Sequence, residues 1–65
     1  MNAVKQARIR AGISQTELGR RIGLDQSGVS RIEHDSRALT VERLLAIAEA
    51  LGVDPSELIQ SNRAA

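Results

Sequence analysis

Cysteine, phenylalanine, tyrosine and tryptophan are all missing from this sequence. Without Cys, no disulfide and no thiolate-held metal can staple the chain, so packing alone must fold it. Without aromatic rings, the core has to be built from Leu, Ile, Val and Ala. The same absence removes the stacking platforms on which single-stranded nucleic acid is usually held. Long apolar runs are missing too. The richest stretch, Leu44 to Leu51, falls far short of the ~20 residues a membrane-spanning helix needs. The opening MNAVKQARIR has no apolar stretch of the kind a signal peptide carries, so a cytoplasmic setting is expected.

At 65 residues the chain has room for one domain, 1–65. A chain of this size buries only ~60% of its unfolded surface, so its stability is modest and self-association would help. The formal net charge of +1 is small, but it is unevenly spread. Residues 1–37 carry seven Lys and Arg against four acids, and residues 38–65 carry two against four. The first half can face an anionic surface while the second faces away.

The spacing predicts five helices and no strand. The first runs from about Asn2 to Ala11, with Val4, Ile9 and the Ala residues turned inward. Ser14-Gln15-Thr16-Glu17 is a capping box that opens a second helix, which buries Leu18 and Ile22 and ends at Gly23. Asp25 caps a third helix reaching Glu33 or His34. Gly28 costs that helix ~1 kcal/mol relative to Ala, so tertiary packing must hold it. After a polar loop, Thr40 caps a fourth helix, whose Val41, Leu44, Leu45, Ala48 and Leu51 follow the i, i+3, i+4, i+7 rule. Asp54-Pro55-Ser56-Glu57 opens a short fifth helix with Leu58 and Ile59. Residues 61–65 are expected to fray.

On a helical wheel the third helix has two unlike faces. Gly28, Val29 and Ile32 cluster on one side. Gln26, Ser27, Ser30, Arg31 and His34 cluster on the other. A solvated face usually carries Glu and Lys, whereas this one carries hydroxyls, an amide, a guanidinium and an imidazole. Those groups suit base edges in the major groove: Gln pairs with adenine, Arg with guanine O6 and N7, and Ser with either. Gly19, costly inside the second helix, points to another segment passing close by.

Gln15, Leu18, Gly19, Ile22, Gly23, Leu24, Val29 and Ile32 together make a pattern similar to the lambda-repressor-like (Cro/cI or xenobiotic-response-element type) helix-turn-helix family. The run Gln26-Ser27-Gly28-Val29 resembles the start of that family's recognition helix, and Ala38-Leu39 also matches. The resemblance extends from about Val4 to Ile59. It implies an all-α, five-helix domain with the helix-turn-helix at 14–34. It further implies that Gln26 and Ser27 read bases, with Gln15 bracing Gln26 and touching a phosphate. His34 and Arg37 would contact the backbone, and Arg8 and Glu33 would form a structural ion pair. Ser30 and Arg31 complete the base-reading set, Arg31 standing where the family has a small residue.

The expected activity is therefore sequence-specific binding of double-stranded DNA by a transcriptional regulator of a bacterial or phage nucleoid. One reading helix covers few base pairs, so a homodimer on an inverted repeat is expected. Val53, Leu58 and Ile59 suggest that the dimer forms through the fifth helix and the C-terminus. Arg10, Arg20 and Arg21 are either solvated or phosphate contacts. His34 beside Asp35 has no further ligands, and the serines have no general base, so no metal, cofactor, small-molecule ligand or enzymatic activity is expected. The alternative is a protein-interaction module of the same fold, such as an antitoxin-like partner binder.

Overall fold

The computed structural model describes residues 3–60. Five α-helices follow in order: α1 (Ala3–Arg10), α2 (Gln15–Ile22), α3 (Gln26–His34), α4 (Val41–Leu51) and α5 (Pro55–Gln60). A short 3-10 turn, Ser36–Ala38, links α3 to α4. The all-α reading holds, and no strand occurs among the described residues. The expected start of the first helix at Asn2 and the expected fraying of residues 61–65 lie outside them. No described helix is long and apolar enough to cross a membrane.

The helix starts are set by side chains that satisfy the otherwise unpaired first amides. Ser14 Oγ accepts from the Glu17 amide at 3.0 Å, Asp25 Oδ1 from the Gly28 amide at 2.8 Å and Thr40 Oγ1 from the Arg43 amide at 3.1 Å. Asp54 closes a reciprocal capping box. Its Oδ1 accepts from the Ser56 amide at 2.9 Å, and its own amide donates to Glu57 Oε2 at 3.2 Å. At Ser14 only half of the expected box forms, because the Glu17 carboxylate turns forward to Arg20 and Arg21.

The core is one aliphatic cluster drawn from every helix: Val4 and Ala7, Leu18, Val29 and Ile32, Ile47 and Ala48, and Leu58. Three sequence expectations change here. Ile9, expected to face inward, is 57% exposed. It lies about 140° around α1 from Val4, and the buried stripe is Ala3, Val4 and Ala7. Val41 and Leu45 are also exposed, at 75% and 51%, while Ile47 is fully buried. The sequence of α4 satisfies the helical rule in two registers, and packing selects the one through Leu44, Ile47, Ala48 and Leu51. Leu58, expected at a dimer surface, instead completes this chain's own core.

The turn between α2 and α3 is tight. Gly23 adopts φ +80°, the left-handed conformation that glycine reaches without strain, and its amide donates to the Gly19 carbonyl. The next amide, Leu24, also donates to Gly19, at 2.8 Å. The returning chain therefore runs directly over Gly19. A Cβ there would collide with the Leu24 carbonyl oxygen and stand 3.2 Å from that of Asp25. These are backbone atoms, which no rotamer change can move away.

Gly19→Ala should accordingly destabilise the domain. Alanine gains ~1 kcal/mol of helix propensity, but a rigid steric insertion costs about 1–3 kcal/mol, and the clash with backbone places this site at the high end. Thermal unfolding is expected to show a clear drop in melting temperature. An unchanged or higher melting temperature would contradict the close-approach account.

Candidate nucleic-acid interface

The two faces of α3 separate as its sequence predicts. Val29, Ile32 and Glu33 are buried, while Gln26, Ser27, Arg31 and His34 are exposed and Ser30 is half-buried. The exposed side carries no carboxylate. The neighbouring acids are committed elsewhere: Asp25 caps α3, and Glu33 is buried against Arg8. What remains is a continuous strip of uncharged hydrogen-bonding groups with one guanidinium.

Behind this strip lies a chain of polar contacts. Arg8 Nε donates to Glu33 Oε2 at 2.6 Å and Arg8 Nη2 donates to Oε1 at 3.3 Å. Arg8 Nη1 also donates to the Ile13 carbonyl at 2.9 Å, which ties down the loop before α2. Glu33 Oε1 accepts from Gln15 Nε2 at 3.0 Å, and Gln15 Oε1 accepts from Gln26 Nε2 at 2.6 Å. The side chains of Arg8 and Glu33 are 11% and 1% exposed. Gln15, the first residue of α2, thus joins a buried ion pair to the exposed tip of α3. Gln26 and Glu33 are seven residues apart on one stripe of α3, and Gln15 reaches both from α2. The structure thus brings Arg8 together with Glu33, and Gln15 together with Gln26. That Gln15 connects them was not legible in the sequence, because the link is made by a side chain of a different helix.

Arg37 sits in the 3-10 turn beyond α3 with its side chain 90% exposed. Its guanidinium is engaged by Asp35, with Nε donating to Oδ1 at 3.1 Å and Nη2 to Oδ2 at 3.3 Å. The side-chain hydrogen bond from Arg37, helped by its backbone amide, holds the Asp35 carboxyl below the usual range. The same contact raises Arg37. At the end of α3, the exposed His34 donates from Nδ1 to the Ser30 carbonyl at 2.8 Å.

Arg43, absent from the sequence-derived site, lines a shallow groove together with Arg31 and Arg37; Leu24, Gly28 and Ile32 lie among its other walls. The capping bond from the Arg43 amide to Thr40 places this residue in the first turn of α4. That capping position was the available signal. Arg20 and Arg21, by contrast, converge on Glu17, and Arg21 Nη1 donates to the Ala50 carbonyl at 3.2 Å. Arg21 therefore clamps α2 to the last turn of α4.

Glu17 is held near pH 2, against an ordinary value of 4.5, chiefly by the Arg20 hydrogen bond and then by that from Arg21. A lowered folded-state value means that the stabilising contribution is complete above the ordinary value and disappears as pH falls through the folded one. Melting temperature should therefore decline from about pH 4.5 towards about pH 2, and Glu17→Gln should flatten that decline. An acid limb identical in the two proteins would contradict this assignment.

The Helix-turn-helix family pattern matches residues 4–58. Two curated relatives, both named HTH-type transcriptional regulator RamB and both from strains of Mycobacterium tuberculosis, are each 45% identical to the chain over 51 residues. Each match covers 78% of this chain but only 11% of the relative, so the similarity spans about a ninth of those proteins. No solved structure matches the chain at a significant level.

Proposed function

The chain belongs to the lambda-repressor-like, Cro/cI-type helix-turn-helix family, and from that premise we propose that it binds double-stranded DNA as a sequence-specific transcriptional regulator. In this reading α3 enters the major groove and α2 lies across the backbone. The observation that carries it is the acid-free face of α3, with Gln26 already held by Gln15 at 2.6 Å. The amide of Gln26 has the donor and acceptor that adenine's N7 and N6 require, Arg31 suits guanine, and Ser27 and Ser30 suit either. Gln15, His34 and Arg37 flank the strip as phosphate contacts, and the N-terminus of α2 adds backbone N–H groups suited to an anion.

One such helix reads only a few base pairs, which favours a homodimer on an inverted repeat, with half-sites about one helical turn apart. With Leu58 committed to the core, Ile59 is the large apolar side chain that α5 leaves exposed for such a contact. Sedimentation showing a monomer at high concentration, with and without DNA, would remove the dimer from this account. The proposed site of action is the bacterial or phage nucleoid.

A mobility shift on random duplex at low salt tests the reading, and selection from a random duplex pool then identifies the preferred site. Binding that weakens steeply with salt and yields a defined sequence is expected. Failure to shift duplex at low salt would overturn the proposal. Gln26→Ala should cost about 1–3 kcal/mol on the selected site and relax preference at one base position. Equal weakening on random duplex would show that Gln26 is not a reader.

Asp35 engages Nε and Nη2 of Arg37 and offsets its charge, so it competes with a phosphate for this side chain. Arg37→Ala should weaken all sequences and reduce the salt slope by ~1. Asp35→Asn, which releases the guanidinium, should strengthen duplex binding several-fold at low salt. An unchanged slope in the first variant and an unchanged affinity in the second would contradict the phosphate role.

A further inference from the structure

We propose that the buried Arg8–Glu33 ion pair sets the hydrogen-bonding polarity of Gln26, which makes Arg8, Glu33 and Gln15 positioning residues for base selection as well as ties within the fold. The inference rests on the DNA-reading role proposed above for Gln26.

A glutamine amide has two chemically opposite ends of nearly equal shape. The NH2 end donates and the oxygen accepts, so packing alone hardly distinguishes one orientation from its half-turn alternative. The relay removes that freedom step by step. Paired with a guanidinium, Glu33 is a carboxylate and can only accept. Its Oε1 therefore admits only the NH2 end of Gln15, which it meets at 3.0 Å. The oxygen of Gln15 is then left facing α3, where it can only accept, and the NH2 end of Gln26 must turn towards it, at 2.6 Å. One Gln26 proton is thereby committed. Its second proton and its oxygen remain on the outer face of α3.

That remainder is a donor beside an acceptor. It matches adenine, whose major-groove edge offers the N7 acceptor and the N6 donor. It mismatches guanine, which offers acceptors at both N7 and O6. Released from Gln15, the amide could turn and present both its protons to guanine. A charge buried between α1 and α3 thus selects a base two links away, through a sequence of single-orientation hydrogen bonds.

The test uses the duplex selected by the unaltered protein and the same duplex with adenine replaced by guanine at the position where Gln26→Ala loses its preference. Binding to each is followed by fluorescence anisotropy. Two variants interrupt the relay. Glu33→Gln substitutes a group that can both donate and accept. Gln15→Met is nearly the same size, leaves the Arg8–Glu33 pair intact and keeps the fold accessible if Glu33→Gln proves unstable. A bidentate contact supplies roughly 5- to 150-fold discrimination. Each variant is expected to lower the adenine-over-guanine ratio about 5-fold or more. The double variant should lose no more discrimination than Gln15→Met alone. A purely structural role would weaken both duplexes together, so an unchanged ratio in Gln15→Met, or in a folded Glu33→Gln, overturns the inference. If Gln26→Ala itself leaves every base preference unchanged, the reading of Gln26 fails, and the relay fails with it as a device for base selection.

Discussion

The contact on which most else depends is the buried pair between Arg8 and Glu33. Burying two charges is expensive unless their hydrogen-bonding capacity is filled, and here much of it is. Arg8 serves both carboxylate oxygens and the Ile13 carbonyl, and Glu33 also receives Gln15. The pair fixes α1 against α3, pins the loop that precedes α2 and reaches the first residue of α2. Removing one partner from such a pair typically costs about 3–5 kcal/mol, a large share of what a domain this small has available. In a core without a single aromatic ring, this polar joint defines a geometry that short aliphatic side chains would specify less sharply.

The close approach at Gly19 is the second constraint, and it acts together with the first. Because the chain leaving α2 turns directly over Gly19, α3 begins only four residues after the end of α2. That short return holds Gln15 and Gln26 within hydrogen-bond distance although they belong to different helices. The ion pair sets one side of α3 and the glycine crossing sets the other. The outer strip of α3 is what remains exposed between them. Its electrostatics follow from how acids are used nearby: Asp25 is spent on a cap, Glu33 on Arg8 and Asp35 on Arg37.

Much of this could be read from the residues. Ser14, Asp25, Thr40 and Asp54 each cap the helix they announce, because a short polar side chain before an apolar pattern has a strong local reason to do so. The two faces of α3 were equally legible, since its wheel leaves little choice. The register of α4 was not. Val41 and Leu45 fit the helical rule as well as Ile47 does, and only contact with the other helices separates them. Ile9 and Leu58 changed roles for the same reason: an apolar residue states that it prefers burial, not which neighbour will bury it. In the candidate site, the Arg8–Glu33 pair and the bracing of Gln26 were expected separately. Their union through Gln15 is a tertiary fact about three side chains meeting, and no spacing within one helix encodes it. Arg43 was hidden similarly, on a helix assigned to the core.

Stability and the proposed recognition thus share one connected set of polar groups running from α1 to the tip of α3. The measurement that tests this most directly is a crystal structure of the protein bound to a duplex selected from a random pool. The account predicts α3 in the major groove, with Gln26 Nε2 donating at once to Gln15 Oε1 and to a purine N7, and its oxygen accepting from adenine N6. A complex in which α3 stands outside the groove, or in which Gln26 has left Gln15 to engage the DNA, would contradict it.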